Sequence, residues 1–387
     1  MGDRVLIVGG GIGGLAAAVA LQRVGIEATV FERAPELKEV GAGLSLWSNA
    51  VKALGRLGLA DAVVARGSVI ERAQTLTADG RVLSEAPLGD ISRTAGAPSI
   101  VVHRADVQQV LATAAGVIHL GAACVGIEED AGGVTVRFAD GRTERGALLI
   151  GADGVRSAVR AHLHGPFEPR PAGYVAYRGM ARFTLPDDPA DRSRLAMGPG
   201  SQAGILPCGP GRTYWFATAP AAGPAINPKA EALTRFADWV PLLPRVIEAT
   251  DPAAVMRHDI FDLPPVWPWG RGRVTLLGDA AHATTPNLGQ GACQAIEDAI
   301  VLADCLRRYG TTADGLRQYE EARRARTERI VRLSRQMGRM LQWKNPLAVW
   351  LRNRMMASRL GRRQGEGLFA ELLGYDVPEL PAAVGAA

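Results

Sequence analysis

Three stretches of this chain place chemically useful residues at fixed spacings. The first is Gly9-x-Gly11-x-x-Gly14, with Glu32 lying 23 residues after Gly9. Glycines so spaced allow a tight turn at Gly9, bring bare backbone up to a pyrophosphate at Gly11, and let a helix pack closely on a strand at Gly14. The turn leads into a helix, whose N-terminal N–H groups and partial positive charge suit a phosphate. An acid placed as Glu32 is accepts hydrogen bonds from an adenosine ribose, which favours FAD or NAD over NADP. The bland alternative is a glycine-rich structural turn.

The second stretch is Gly151-Ala152-Asp153-Gly154-x-x-Ser157-x-x-Arg160. Small residues at a strand end admit a ligand, and Asp153 either bonds a ribose or caps a following helix. The third is Gly278-Asp279-Ala280-Ala281-His282, continued by Pro286-Asn287-Leu288-Gly289-Gln290-Gly291 and by Glu297-Asp298. Asp279 can bond sugar hydroxyls, and the Gly-Gln-Gly turn offers N–H groups to a carbonyl or a developing oxyanion. His282 is either a proton-handling group or a satisfied neighbour of the ligand. Glu297-Asp298 alone would be a solvated helix face. A second glycine pattern, from Gly198 to Ala203, contains Pro199 and cannot open a helix. It is a turn, which leaves one dinucleotide fold.

Elements must hold these residues in place. Arg4–Val8 reads as a buried strand, Leu15–Val24 as a helix ended by Gly25, and Ile26–Glu32 as a second strand. Together they form a βαβ unit on a parallel sheet. Val134–Phe138, Asp140-Gly141 and Ala147–Ile150 read as a hairpin feeding an apolar strand. From Tyr174 to Phe216 short alternating strands are broken by Gly and Pro, Leu263–Trp269 is a rigid connector, and Val274–Leu277 is again a buried strand. Gln290–Tyr309 reads as a helix, and the chain beyond Leu316 as mostly helical with a loose Pro-rich tail. The fold class expected is α/β, a Rossmann-like nucleotide domain with an inserted β-sheet-rich domain and a C-terminal helical segment.

GGGIGGL with Glu32, GADG, and GDAAHATTPNLGQGACQAIED resemble the fingerprints of the group A FAD-dependent aromatic monooxygenases, a family that includes para-hydroxybenzoate, salicylate and urate hydroxylases. The resemblance covers about residues 1–335. It implies a discontinuous FAD-binding domain of residues 1–72, 98–174 and 270–334, a substrate domain of 73–97 and 175–269, and a C-terminal segment of 335–387. Gly9, Gly11, Ile12, Gly13, Gly14, Glu32 and Arg33 would hold the ADP half of FAD. Arg104 would meet the ribityl-phosphate region, Asp153 both FAD and the nicotinamide donor, and Asp279 the ribityl or pyrophosphate. Pro286, Gly289 and Gly291 would border the isoalloxazine and shape the oxygen-reaction site.

The implied reaction has two halves. NADH or NADPH binds transiently and reduces FAD. Oxygen then adds at flavin C4a, and the hydroperoxide gives one oxygen atom to a small aromatic or heteroaromatic ring. In Thr213-Tyr214-Trp215-Phe216, Tyr214 and Phe216 share one sheet face, and Tyr214 matches a substrate-contacting tyrosine of the urate hydroxylases. Their arginine is matched by Gln202, and an amide cannot pair with an anion as a guanidinium does; this departure argues against urate itself. Arg178 would meet an acidic substrate or the flavin edge, and Trp47 would line the flavin, with ordinary packing the alternative for each. Epoxidation of an isoprenoid, another FAD oxidoreductase chemistry and a non-catalytic FAD-binding scaffold are the remaining readings. The FAD motifs do not separate them.

Composition bounds these readings. A chain of 387 residues, 47% hydrophobic and 21% charged, is long enough for two or three domains and is not disordered. The pI of about 9.2 invites a polyanion partner, but 40 of the 44 basic residues are arginine, the mark of a GC-rich genome. Between Arg323 and Arg363, 13 basic residues stand against one acid, a balance of +12 that leaves −7 for the rest of the chain. Ile330, Leu333, Met337 and Leu341 form a helical stripe there, with Arg332, Arg335 and Arg339 on other faces. A helix packed on the body with solvated arginines is the first reading; an anionic membrane met through Trp343 and Trp350, or a dimer contact, is the alternative. Nucleic acid has no other support, and the molecule is expected to be a monomer or homodimer. The four cysteines, Cys124, Cys208, Cys293 and Cys305, have no CxxC spacing, so neither disulfides nor a metal site is expected, and the cytoplasm is the default compartment.

Overall fold

The computed structural model describes residues 4–37, 42–184, 191–221, 223 and 226–381. The apolar run Val5–Val8 is wholly buried because it is the central strand of a five-stranded parallel sheet. The strand order is Val274–Leu276, Leu148–Gly151, Val5–Val8, Ala28–Phe31, Ile118–His119. All three chemistry-bearing stretches follow C-terminal ends of adjacent strands in this sheet. The first helix spans Ile12–Arg23, three residues earlier than composition indicates. Its glycines sit inside the first turn, where close packing on the sheet outweighs helix propensity.

A seven-stranded sheet forms the second layer, in the order Met256–Asp262, Arg170–Ala181, Thr213–Pro220, Ser201–Pro207, Arg192–Gly198, Arg72–Thr77, Val82–Ala86. One parallel pair, Arg192–Gly198 with Arg72–Thr77, interrupts an otherwise antiparallel array. Pro199-Gly200 is the tight turn between two of these strands, with Gly200 at φ +67°. One face of the sheet buries Tyr177, Ala203, Ile205, Trp215 and Ala217 against Phe236, Leu243, Val246 and Ile247. The other face turns toward the layer of the parallel sheet, with Leu206, Tyr214 and Phe216 packed near Val101 and Leu288. Residues Gly133–Phe138 and Thr143–Gly146 form the expected hairpin, which leads into Leu148–Gly151.

After Gly291–Tyr309 come the long helix Ala313–Leu341 and two shorter ones, Pro346–Ala357 and Arg359–Leu373. Ile330 and Leu341 are buried, and Leu333 and Met337 pack beside them. Two expectations fail here. The arginines of the long helix are not uniformly solvated: Arg323 is fully buried between Glu297 and Asp298, and Arg335 pairs with Asp262 at 2.7 Å. The chain after Leu373 is not loose, at least to residue 381. Val377 is buried, Tyr375 lies under the Arg326 guanidinium at 3.9 Å, and Asp376 pairs with Lys52 at 2.6 Å. Apolar and charged partners on the body outweigh the breaking effect of the prolines.

Candidate functional site

The glycine turn is shaped by three different constraints. Gly9 has φ +117°, and a Cβ there would stand 2.2 Å from the Ala152 carbonyl oxygen. At Gly14 a Cβ would stand 1.9 Å from the Gly9 carbonyl oxygen, so helix and strand touch through hydrogen alone. At Gly11 nothing lies within 4 Å: this is the backbone face left open. No acid occupies the first turn of the Ile12–Arg23 helix, so its positive end is not neutralised by its own residues. Glu32 accepts from the Gly10 N–H at 2.6 Å and from the Ala34 N–H at 2.9 Å, which aims its carboxylate along the mouth of the turn; Arg33 beside it is exposed.

Direct contacts bring the three stretches together. The Gly9 turn rests on Ala152 of the second, and Gly13 packs against Leu277 and Ala295 of the third. Arg160, buried, donates to the Ala280 and Ala281 carbonyls at 3.0 and 2.9 Å, tying the second to the third. Asp153 accepts from Ser157 Oγ and from the Ala158 and Val159 N–H groups at 2.7 and 3.2 Å. Its carboxylate therefore caps the helix Ala158–His164 and orders the turn that abuts Gly9; burial pushes the carboxyl upward. Asp279 differs: exposed, close to Gly291, it makes no hydrogen bond or ion pair among the described residues. Arg104 is exposed at the start of Arg104–Ala114, one turn before Gln108, whose amide donates to the Gly10 carbonyl at 2.9 Å. Gln108 escapes sequence reasoning, although its i+4 spacing from Arg104 places both on one helix face.

The frame behind the third stretch is ionic and dry. Glu297 and Asp298 are fully buried, contrary to a solvated helix face, because Arg323 pairs with both and Arg326 is bidentate to Glu297 at 2.8 Å. Asp298 also takes the Gly278 N–H at 3.0 Å and a ring nitrogen of His282 at 2.6 Å, so His282 is a satisfied histidine. Burial would raise Asp298, yet His282 and Arg323 outweigh it and hold the carboxyl at about 2. Asn49 bridges Gln290 and Glu297 at 3.0 and 2.6 Å. Trp47 donates to the Leu288 carbonyl at 3.1 Å and stands where a Gly289 Cβ would be, propping the Pro286–Gly289 turn. Pro286 is exposed, and Gly289 and Gly291 are half-exposed on the open side.

The seven-stranded sheet supplies the opposite wall. Pairing sets Arg178 opposite Phe216, Met180 opposite Tyr214, and Gln202 opposite Thr218. With two-residue alternation, Arg178, Gln202, Tyr214 and Phe216 all share the face turned to the nucleotide layer. Tyr214 lies against Gly43, where a Cβ would fall 2.4 Å from its ring, and stands 6.1 Å from Phe216. Burial raises its phenol, with Arg178 pulling the other way, so it is a neutral O–H donor at neutral pH. Arg178 is half-buried with no ion-pair or hydrogen-bond partner among the described residues. Gln202 is buried and uncharged. Leu288, Met180, Leu206, Leu368 and Phe369 complete an apolar cluster with these rings, and Phe369 stands 5.5 Å from Trp47.

Residues 3–334 match a protein family described as FAD binding domain. The chain is 45% identical over 360 residues to the aurachin C monooxygenase/isomerase of Stigmatella aurantiaca, a match spanning 92% of this chain and 94% of that protein. It is 38% identical over 337 residues to the FAD-dependent urate hydroxylase of Klebsiella pneumoniae, spanning 85% and 88%. The crystal structure of Klebsiella pneumoniae HpxO complexed with FAD and uric acid superimposes with a TM-score of 0.89 at 34% identity, over 96% of this chain and 97% of that one.

Proposed function

Since the chain belongs to the family of FAD-binding monooxygenases, we propose that FAD lies along the crevice where the three stretches meet and that the inward sheet face holds the ring to be oxidised. The protein is an FAD-dependent monooxygenase of aromatic or heteroaromatic substrates. The observation that carries the binding mode is a pair of open partners at the mouth of the crevice: the uncovered backbone at Gly11 and the carboxylate of Asp279, which has no partner among the described residues. Both fit a flavin dinucleotide, one facing pyrophosphate and the other ribityl hydroxyls. Glu32 takes the adenosine ribose with its remaining lone pairs. Arg33 and Arg104 sit at the rim as phosphate partners. Asp153 serves from behind, by ordering the turn under Gly9. When bound and reduced by NADH or NADPH, FAD supplies the activation of O2 and the transfer of one oxygen atom.

This chain's residues supply position and dryness. The N–H groups at the start of Gly291–Tyr309 face the flavin ring, with Pro286 and Gly289 as its border and Trp47 as its support. Tyr214 donates a hydrogen bond to the substrate, Phe216 stacks on it, and Arg178 orients an acidic or carbonyl oxygen. The apolar cluster excludes water from the reacting centre. Gln202 leaves no second cation, so we place the substrate among rings carrying one anionic or polarised group beside an apolar portion. All four cysteines are unpaired thiols, which fits a reducing compartment such as the cytoplasm.

The purified protein is expected to be yellow with FAD and to consume NADH or NADPH and O2 when given its aromatic substrate, with an oxygen atom from labelled O2 in the product. A colourless protein that cannot be loaded with FAD would overturn the cofactor and the function together. Nucleotide oxidation that adds no oxygen to any substrate would overturn oxygen transfer alone.

A further inference from the structure

The helix Pro346–Ala357 leaves large apolar residues exposed on its outer face. Leu347, Trp350, Leu351 and Met355 recur at helical spacing on one face and are 71%, 57%, 57% and 47% exposed. On the opposite face Arg352 is buried, its guanidinium donating to the Leu341 and Gly198 carbonyls at 3.4 Å each. The helix thus turns Arg352 and Met356 to the body, and Leu347, Trp350, Leu351 and Met355 to the outside. Trp343 before it and Leu360 after it are also exposed.

Charge surrounds this apolar stripe with a single sign. Lys344, Arg354, Arg359, Arg362 and Arg363 are exposed, and none is in an ion pair among the described residues. The sequence has no Asp or Glu between Glu328 and Glu366. Arg354 lies over the Trp350 ring at 5.8 Å, a cation and an aromatic ring held together on this outer face. A second copy of the chain would bring like charge against like charge on this face. A stripe of Trp and Leu flanked by uncommitted arginines instead matches a layer that is apolar within and anionic at its surface. No helix among the described residues is long and apolar enough to cross a membrane, so the contact is with the surface only.

We propose that the outer face of Pro346–Ala357, with the start of Arg359–Leu373, docks the enzyme on a membrane surface containing anionic phospholipid, the helix lying in the plane of the interface. The FAD-loaded full-length enzyme is expected to co-sediment with vesicles of phosphatidylcholine mixed with phosphatidylglycerol, at least tenfold more strongly than with phosphatidylcholine alone, and to be released by high salt. Trp350→Glu with Leu351→Glu, both at exposed positions, should abolish sedimentation while leaving FAD content and melting temperature unchanged. Arg362→Glu with Arg363→Glu should remove the preference for phosphatidylglycerol. Equal sedimentation of the wild type on both vesicle types, or binding that survives the Trp350/Leu351 change, would overturn the proposal. So would a concentration-dependent dimer in light scattering that this same change dissolves, since that would give the face to a second copy.

Discussion

Asp298 shows how much a single carboxylate can organise. It holds the Gly278 turn, the His282 ring and the Arg323 guanidinium, and its own charge is secured by the last two. Its folded value, about 2, lies below the ordinary 3.8, so its contribution is fully present above about pH 4 and is lost as pH falls through about 2. Asp298→Asn is expected to cost about 3–5 kcal/mol, because Arg323 keeps its burial and loses half its pairing. Melting temperature recorded between pH 4 and 2 should fall less steeply in the variant than in the wild type. Arg178 is the opposite case, a cation without an ion-pair partner among the described residues. Arg178→Ala should raise KM for the substrate about tenfold or more with FAD content unchanged, and Arg178→Lys should restore part of the loss; unaltered KM in steady-state kinetics would remove Arg178 from the substrate wall. At this scale the sequence was informative where a rule is local. Two-residue alternation is enough to put Tyr214 with Phe216 on one face. The links from Gln108 to Gly10 and from Arg160 to Ala280 cross many residues and have no local signature.

Among the elements, the glycine turn gives the sharpest contrast. Gly11→Ala meets open space at φ −76°, so the apoprotein should melt within a degree or two of the wild type while FAD affinity falls at least tenfold. Gly9→Ala meets both a positive φ and the Ala152 carbonyl, and should destabilise the apoprotein by more than about 2 kcal/mol. Thermal melts of both apoproteins, paired with flavin titration, check this; equal loss of stability in the two would refute the division of labour. The βαβ unit and the three strand ends were legible because glycine, apolar runs and acids each act within a few residues. The C-terminal segment departs in part from what its sequence indicates. Prolines after Leu373 indicate a loose tail only when nothing nearby can hold it, and here Lys52 and the Arg326–Tyr375 stack do.

Across the whole molecule, Asp262 joins the layers. It is fully buried, receives Arg170 from the same sheet at 2.9 and 2.7 Å, and receives Arg335 from the long helix at 2.7 Å. Asp262→Ala should lower stability by about 3 kcal/mol or more and loosen the sheet against the nucleotide layer, which limited proteolysis and melting temperature would both report. Unchanged protease resistance would count against a joint at this point. The insertion of one layer into the sequence of the other also has a cost in time. The strand Val274–Leu276 pairs with Leu148–Gly151, but the chain between them must be made first. On a ribosome, the inner edge of the parallel sheet stays open for on the order of ten seconds. Asp279 and the Gly291 turn emerge later still. On the proposed binding mode, flavin capture therefore waits for the last third of the chain rather than guiding the first part, and a nascent chain released before about residue 270 has part of a nucleotide site and an unpaired strand edge where the rest should be.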